Sequence, residues 1–243
     1  MFPHVIHGAE KDVYETTAYQ LFPVGQRMQT PLGSVFRYTQ MGATIGVANN
    51  LYQGAVDISG HQSAAFPVAL AVGDTTITQL MATTAAVANE YARGTVLVEE
   101  TDDLGHIYPI KSHPAAGIGA NCVLTLEDGV TVQVAVAIAA GNVGTMKKNP
   151  WKDVIIAPVT TPTAKAAGIP RIIIAASGWG WVQTRGTASC LVSGTWVLGA
   201  PLTDGSGAAG SIMPSAAATD ASVAICLEVA PAADFGHCYL LID

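Results

Sequence analysis

The stretch Gly205-Ser206-Gly207-Ala208-Ala209-Gly210 is the one most readily read as chemistry. It fits the G-x-G-x-x-G pattern, in which backbone N–H groups at a helix N-terminus cradle a pyrophosphate, and Glu228 follows at the spacing of a ribose-binding carboxylate. Its surroundings argue against that use. Pro201 precedes the glycines, Pro214 would break a following helix, and too little chain remains for a parallel sheet. The run therefore reads as a loop. Glu99, Glu100, Asp102 and Asp103 cluster tightly enough to suggest a cation site, but they lack the alternating oxygen ligands of a calcium loop and read as a solvated hairpin tip. His4 and His7 stand three apart and His237 adjoins Cys238, yet neither group supplies the three converging ligands of a metal site. No G-x-S-x-G elbow occurs, so a hydrolase would need a nucleophile and base brought together from distant positions. These residues lead to no assigned catalytic, cofactor-binding or metal-ligating side chain.

A clearer signal is aromatic. In Ser177-Gly178-Trp179-Gly180-Trp181-Val182-Gln183 an extended chain places both tryptophans on one face and leaves Gly178 and Gly180 bare on the other, where backbone can approach closely. The tryptophans either fill a core or anchor a subunit contact. Phe2, Val5, Ile6, Tyr14, Tyr19 and Phe22, in the first part of the chain, join Trp179 and Trp181 as candidate interface residues.

Short strands must position these groups. Residues Met1 to Gln29 show no helical period and contain Pro3 and Pro23, which predicts an extended N-terminal arm. Val35 to Gln40 is β-branched and aromatic and predicts a strand. Three hairpins are expected next: Phe66–Val72 with Thr75–Leu80, Thr95–Glu99 with His106–Ile110, and Cys122–Leu126 with Thr131–Ile138. The alanine-rich run Thr83 to Ala92 predicts a short helix. Beyond Asn149-Pro150, strands are expected at Val154–Ile156, Arg171–Ala176, Gly180–Thr184, Cys190–Val192, Thr195–Leu198, Ala224–Val229 and Cys238–Ile242. The fold class is all-β: a barrel or sandwich body from residues 1–59 and 145–243, with a small barrel-like unit, 60–144, inserted.

Composition narrows the function. Of 243 residues 12% are charged and 50% hydrophobic, about half the usual ~25% charge of soluble domains. A monomer of this size exposes roughly 10,000 Å², so charge is sparse enough to suggest that much of the surface meets other protein. A net charge of -7 and the lack of any basic run disfavour nucleic acid as a partner. The most apolar stretch, Val130 to Val143, is too short and too interrupted to span a membrane, and the first residues do not read as a secretory signal. Cys122, Cys190, Cys226 and Cys238 are far apart in apolar surroundings and read as buried reduced thiols.

Several stretches resemble those of tailed-phage virion structural proteins of the capsid decoration, or cement, type. They are Leu21–Arg27, Gly33-Ser34-Val35-Phe36-Arg37-Tyr38, Met41-Gly42-Ala43, Tyr91-Ala92-Arg93-Gly94, Tyr108–Ala116, Leu124–Asp128, and Asn149-Pro150-Trp151 through Thr184. Such proteins often carry an acidic residue before the glycine of the second stretch, where this chain has Pro31-Leu32. The resemblance implies a protein made in the bacterial cytoplasm that binds the outside of an icosahedral head. There it would tie major capsid subunits together as a homotrimer, or a dimer, without cofactor or catalysis. The rival expectations are a tail or receptor-binding module and a hydrolase with a noncontiguous site.

Overall fold

Strand formation follows the β-branched and aromatic runs, and turn residues cut them short, in a computed structural model that describes residues 4–99, 105–139, 141–217 and 220–243. The chain divides into two units, Met1–Ala55 with Pro150–Asp243, and Val56–Asn149. The first unit opens with β1 (Val5–His7), β2 (Arg27–Gln29), β3 (Val35–Gln40) and β4 (Tyr52–Gln53). The second holds β5 (Ala64–Ala65), β6 (Thr76–Leu80), β7 (Thr95–Val98), β8 (Ile107–Ser112), β9 (Asn121–Leu126) and β10 (Val143–Lys147). The first then resumes with β11 (Ile155–Ile156), β12 (Ala166–Pro170), β13 (Trp179–Leu191), β14 (Pro201–Asp204), β15 (Ile212–Pro214), β16 (Ala224–Cys226) and β17 (Phe235–Leu241).

β13 organises the first unit. The expected strand Gly180–Thr184 and the first two residues of the expected Cys190–Val192 are parts of this single 13-residue strand, while Val192 just beyond it forms an isolated bridge to Ile212. One edge of its first half pairs with β3 (Trp181 opposite Tyr38) and the other with β12 (Gln183 opposite Ile169). Its second half pairs with β17 (Ala188 opposite Cys238), which continues to β16, β14 and β15. A register shift between Gln183 and Arg185 bends the strand, so one ribbon serves both halves of the sheet. Around the first half, both faces are covered. Trp179 and Trp181 lie with Val13, Val24, Met28, Phe36 and Tyr38 on one side, while Val182 lies with Met41, Tyr52, Val154, Ala167 and Ile174 on the other. A Cβ on Gly180 would come 2.7 Å from Ile174 Cδ1, the close approach expected of that bare face.

Residues 4–29 are extended apart from a 3-10 turn at Asp12–Tyr14, and they lie against their own unit rather than standing free. β1 pairs in parallel with β2, Thr17 and Trp179 exchange backbone hydrogen bonds of 3.0 and 2.8 Å, and Val13 is fully buried. The physical reason is the aromatic face of β3 and β13, whose apolar area requires a cover. Pro31 and Leu32 form the corner of the β2–β3 turn, closed by Gly33 N–H donating to the Thr30 carbonyl at 2.9 Å.

In the second unit the sheet runs β5-β10-β7-β8-β9-β6. It curls until the Gln79 amide of β6 donates to the carbonyls of Ala64 on β5 and Gly144 on β10. The β7–β8 hairpin forms as expected, although Glu100, Asp102 and Asp103 near its tip lie outside the described residues. The other two hairpins exchange partners: β6 pairs with β9, while Leu70 pairs with Val136 through an isolated bridge. Pro67, which lacks an N–H, interrupts the first arm and keeps it from forming a ladder with β6. Thr83 to Ala92 forms turns and a bridge from Ala86 to Ala116 rather than a helix. In the first unit, the strand expected at Arg171–Ala176 lies earlier, at β12, and Thr195–Leu198 is a loop that buries Trp196.

Candidate functional site

The glycine run 205–210 joins β14 to β15, which pair antiparallel with Asp204 opposite Ile212. The N–H groups of its three glycines are already engaged: Gly205 with the Ser211 carbonyl (2.8 Å), Gly207 with Ser193 Oγ (3.1 Å) and Gly210 with the Ala157 carbonyl (2.9 Å). It is a hairpin loop with no helix behind it, and phosphate cradling does not follow from this geometry. Glu228 accepts from both the backbone N–H and Nδ1 of His237 at 2.8 Å, and the backbone bond followed by the ring holds its carboxyl below the usual range. Glu99 accepts from Ser63 Oγ at 2.9 Å. Among the described residues, no three His, Cys, Asp or Glu side chains are placed to hold a metal. An apolar recess of about 250 Å³ lined by Leu51, Ala157, Val223 and Ile242 falls below the usual range of ~300–1,000 Å³ for ligand pockets.

The second unit holds a buried polar network that sequence reasoning missed. His61 Nδ1 meets the Tyr91 hydroxyl at 2.5 Å, and Tyr91 N–H donates to His113 Nε2 at 3.0 Å. Because Nε2 accepts, the proton sits on Nδ1 and is directed at the Pro114 carbonyl at 2.8 Å. Cys122 Sγ is 3.5 Å from that same nitrogen, which resembles the spacing of a thiol–imidazole pair. The chemistry differs, because a nitrogen already carrying hydrogen cannot take the thiol proton. Burial, with the Glu90 charge adding to it, also pushes the Cys122 thiol up, away from the reactive thiolate. Burial likewise raises the Tyr91 phenol, with the Glu90 charge adding to it. The network satisfies polar groups inside a core.

The candidate interface residues separate into two sets. Phe2 lies outside the described residues. Trp179 and Trp181 are buried, with the Tyr38 ring stacked on Trp179 at 5.6 Å and edge-on to Trp181 at 5.1 Å, and Phe22 and Ile6 pack against this cluster. Val5 is half-buried in β1. Tyr14 and Tyr19 are exposed, at 50% and 67%.

A second surface emerges from strand alternation. β13, β17 and β16 turn Ala188, Cys190, Ala224, Cys226, Cys238 and Leu240 inward. The alternate positions face out, and the register places Ile225 beside Tyr239 and Thr187, with Phe235 beside Leu191. Ile225, Leu227, Phe235 and Leu241 are exposed, and Arg185 is the charged side chain among the outward positions of the paired strands. Tyr14, Asn49, Arg171, Thr187, Ser189 and His237 line an adjoining polar cleft of about 360 Å³. The signal for this face was present in Tyr239-Leu240-Leu241. Apolar residues at both parities of a strand indicate that both faces are apolar.

Three strands, the longest pairing over seven residues, span at most roughly 14 by 24 Å, or about 340 Å². That is less than half of the ~800 Å² each partner contributes to a standard interface. The face can support a weak, specific contact, and firm attachment through it requires repetition.

The sequence matches no family model and no curated protein. Among solved structures it is similar to the N base of the head fiber protein gp8.5 from bacteriophage phi29. The similarity covers 69% of this chain and 94% of that chain at 11% sequence identity, with a TM-score of 0.27. An overlap of that size carries no argument about function.

Proposed function

We propose that this chain is a phage capsid decoration protein, docking on the outside of an icosahedral head through the outer face of β13, β17 and β16 and stabilising contacts between major capsid subunits. The observation that carries the reading is that face: sparsely charged, with Arg185 and the Glu228 carboxylate bonded to His237 as its charged groups, rich in exposed aliphatic and aromatic side chains, and mounted on a sheet whose other side is core. Its modest area fits a protein whose attachment is multiplied by oligomerisation and by a repeating lattice. Ligands that bind only the assembled shell stabilise it by mass action. A homotrimer at three-fold or quasi-three-fold positions offers three such faces to the lattice, and a dimer offers two.

Copy number tests the role. Quantitative mass spectrometry of purified virions is expected to count hundreds of copies, as many as a head lattice accommodates. A handful per particle would instead indicate a tail or receptor-binding module. The polar cleft beside Tyr14 favours that second reading, because an exposed aromatic ring among hydroxyl, amide and guanidinium groups suits a saccharide. Light scattering of the isolated protein separates trimer from dimer.

A further inference from the structure

Cys190 of β13 and Cys238 of β17 are diagonal neighbours across an antiparallel pair, since Ala188 stands opposite Cys238 and Cys190 opposite Gly236. Both side chains point into the core formed with Val192, Trp196, Leu202 and Leu240, and both are fully buried. Their Sγ atoms lie 2.8 Å apart. Unbonded heavy atoms rest about 3.5–4.0 Å apart, so no side chain or backbone stands between the two sulfurs. Cys226 lies directly opposite Cys238 on β16, but its Sγ donates to the Glu228 carbonyl at 2.9 Å. The remaining thiol, Cys122, belongs to the other unit.

We propose that Cys190 and Cys238 are the site of an internal crosslink, formed when a peroxide-class oxidant reaches the folded protein outside a reducing compartment. One sulfur attacks the peroxide, the O–O bond breaks, water leaves, and a sulfenic acid remains. The second sulfur then attacks the first, forming S–S as S–O breaks and a second water departs. Two thiols and one peroxide thus become one disulfide and two waters, with sulfur oxidised and peroxide reduced. The site is built for permanence rather than speed. Burial, together with the neighbouring Cys238, holds the Cys190 thiol well above its ordinary pKa, so little thiolate is present and the reaction is slow. Once made, the bond closes a loop containing β14, β15 and β16 and ties the strands that carry the outer face.

The test treats the full-length protein with hydrogen peroxide at low molar excess, in buffer and in sub-denaturing urea, followed by denaturation, alkylation and peptide mapping by mass spectrometry. The expected result is a loss of two hydrogens, a linked pair of peptides containing residues 190 and 238, and alkylation of Cys122 and Cys226. The first unit's thermal transition is expected to rise by roughly 10 °C, reversibly with dithiothreitol. Cys190→Ser, or Cys238→Ala should that variant fold poorly, is expected to abolish both the linkage and the shift. Four alkylated cysteines in both buffers, a linkage through Cys226, or sulfinic acid without linkage would overturn the proposal.

Discussion

Trp179, Tyr38 and Trp181 hold the first unit together through ring contacts of 5.1–5.6 Å, and their removal from solvent makes them structural residues. Trp181→Ala is expected to cost about 3–5 kcal/mol, read as an earlier urea transition for the first unit with the second unchanged. Gly168 is equally constrained. Its φ of +142° is one that side chains rarely adopt, and a Cβ there would stand 2.7 Å from the Gln183 carbonyl oxygen. Gly168→Ala is expected to cost about 3 kcal/mol or more, measurable in the same titration. In the second unit, burial pushes the Glu90 carboxyl up. The hydrogen bond and charge of Lys148 at 2.9 Å, with Val87 N–H, more than offset that and leave it below the usual range. A depressed folded-state pKa contributes stability that is present above the unfolded value, about 4.3, and is lost as pH falls through the folded value. The second unit is therefore expected to lose stability as pH falls below that unfolded value and on through the lower folded one. Lys148→Met should flatten that dependence, and an unchanged acid profile would contradict the assignment.

Elements show where local reading succeeds. β3, β7, β8 and β9 lie where their β-branched runs predict them, and β13 contains the predicted Gly180–Thr184, because there the local pattern and the tertiary environment agree. The partners of β6 and β9 were not legible, since turns at Gly73-Asp74 and Asp128-Gly129 specify a reversal but not which strand completes the ladder. Thr83 to Ala92 is rich in alanine yet not helical, since backbone bridging to Ala116 outweighs a weak propensity. For the candidate site, sequence singled out the tryptophans but not the outer face. An aromatic pair is conspicuous in sequence, whereas a face assembled from β13, β16 and β17 depends on register between distant segments. The N-terminal segment yields its own prediction. Because it covers Trp179 and Trp181, deletion of residues 1–24 is expected to produce a protein that binds a hydrophobic dye and aggregates. A monodisperse, dye-silent truncation would show that the segment is dispensable to the fold.

At the scale of the whole molecule, two β units with few charges present an aliphatic sheet face too small to bind tightly alone. Binding to phage heads stripped of this protein, compared between the native chain and the pair Ile225→Lys with Phe235→Glu, tests that account most directly. Both positions are exposed, so folding stability should change by no more than about 0.5 kcal/mol per site. The native chain is expected to cosediment with heads at saturable, lattice-scale stoichiometry, and the double variant to lose at least tenfold in apparent affinity while keeping its melting profile. Equal binding by both proteins, or no binding by the native chain, would contradict the claim that this face is the docking surface.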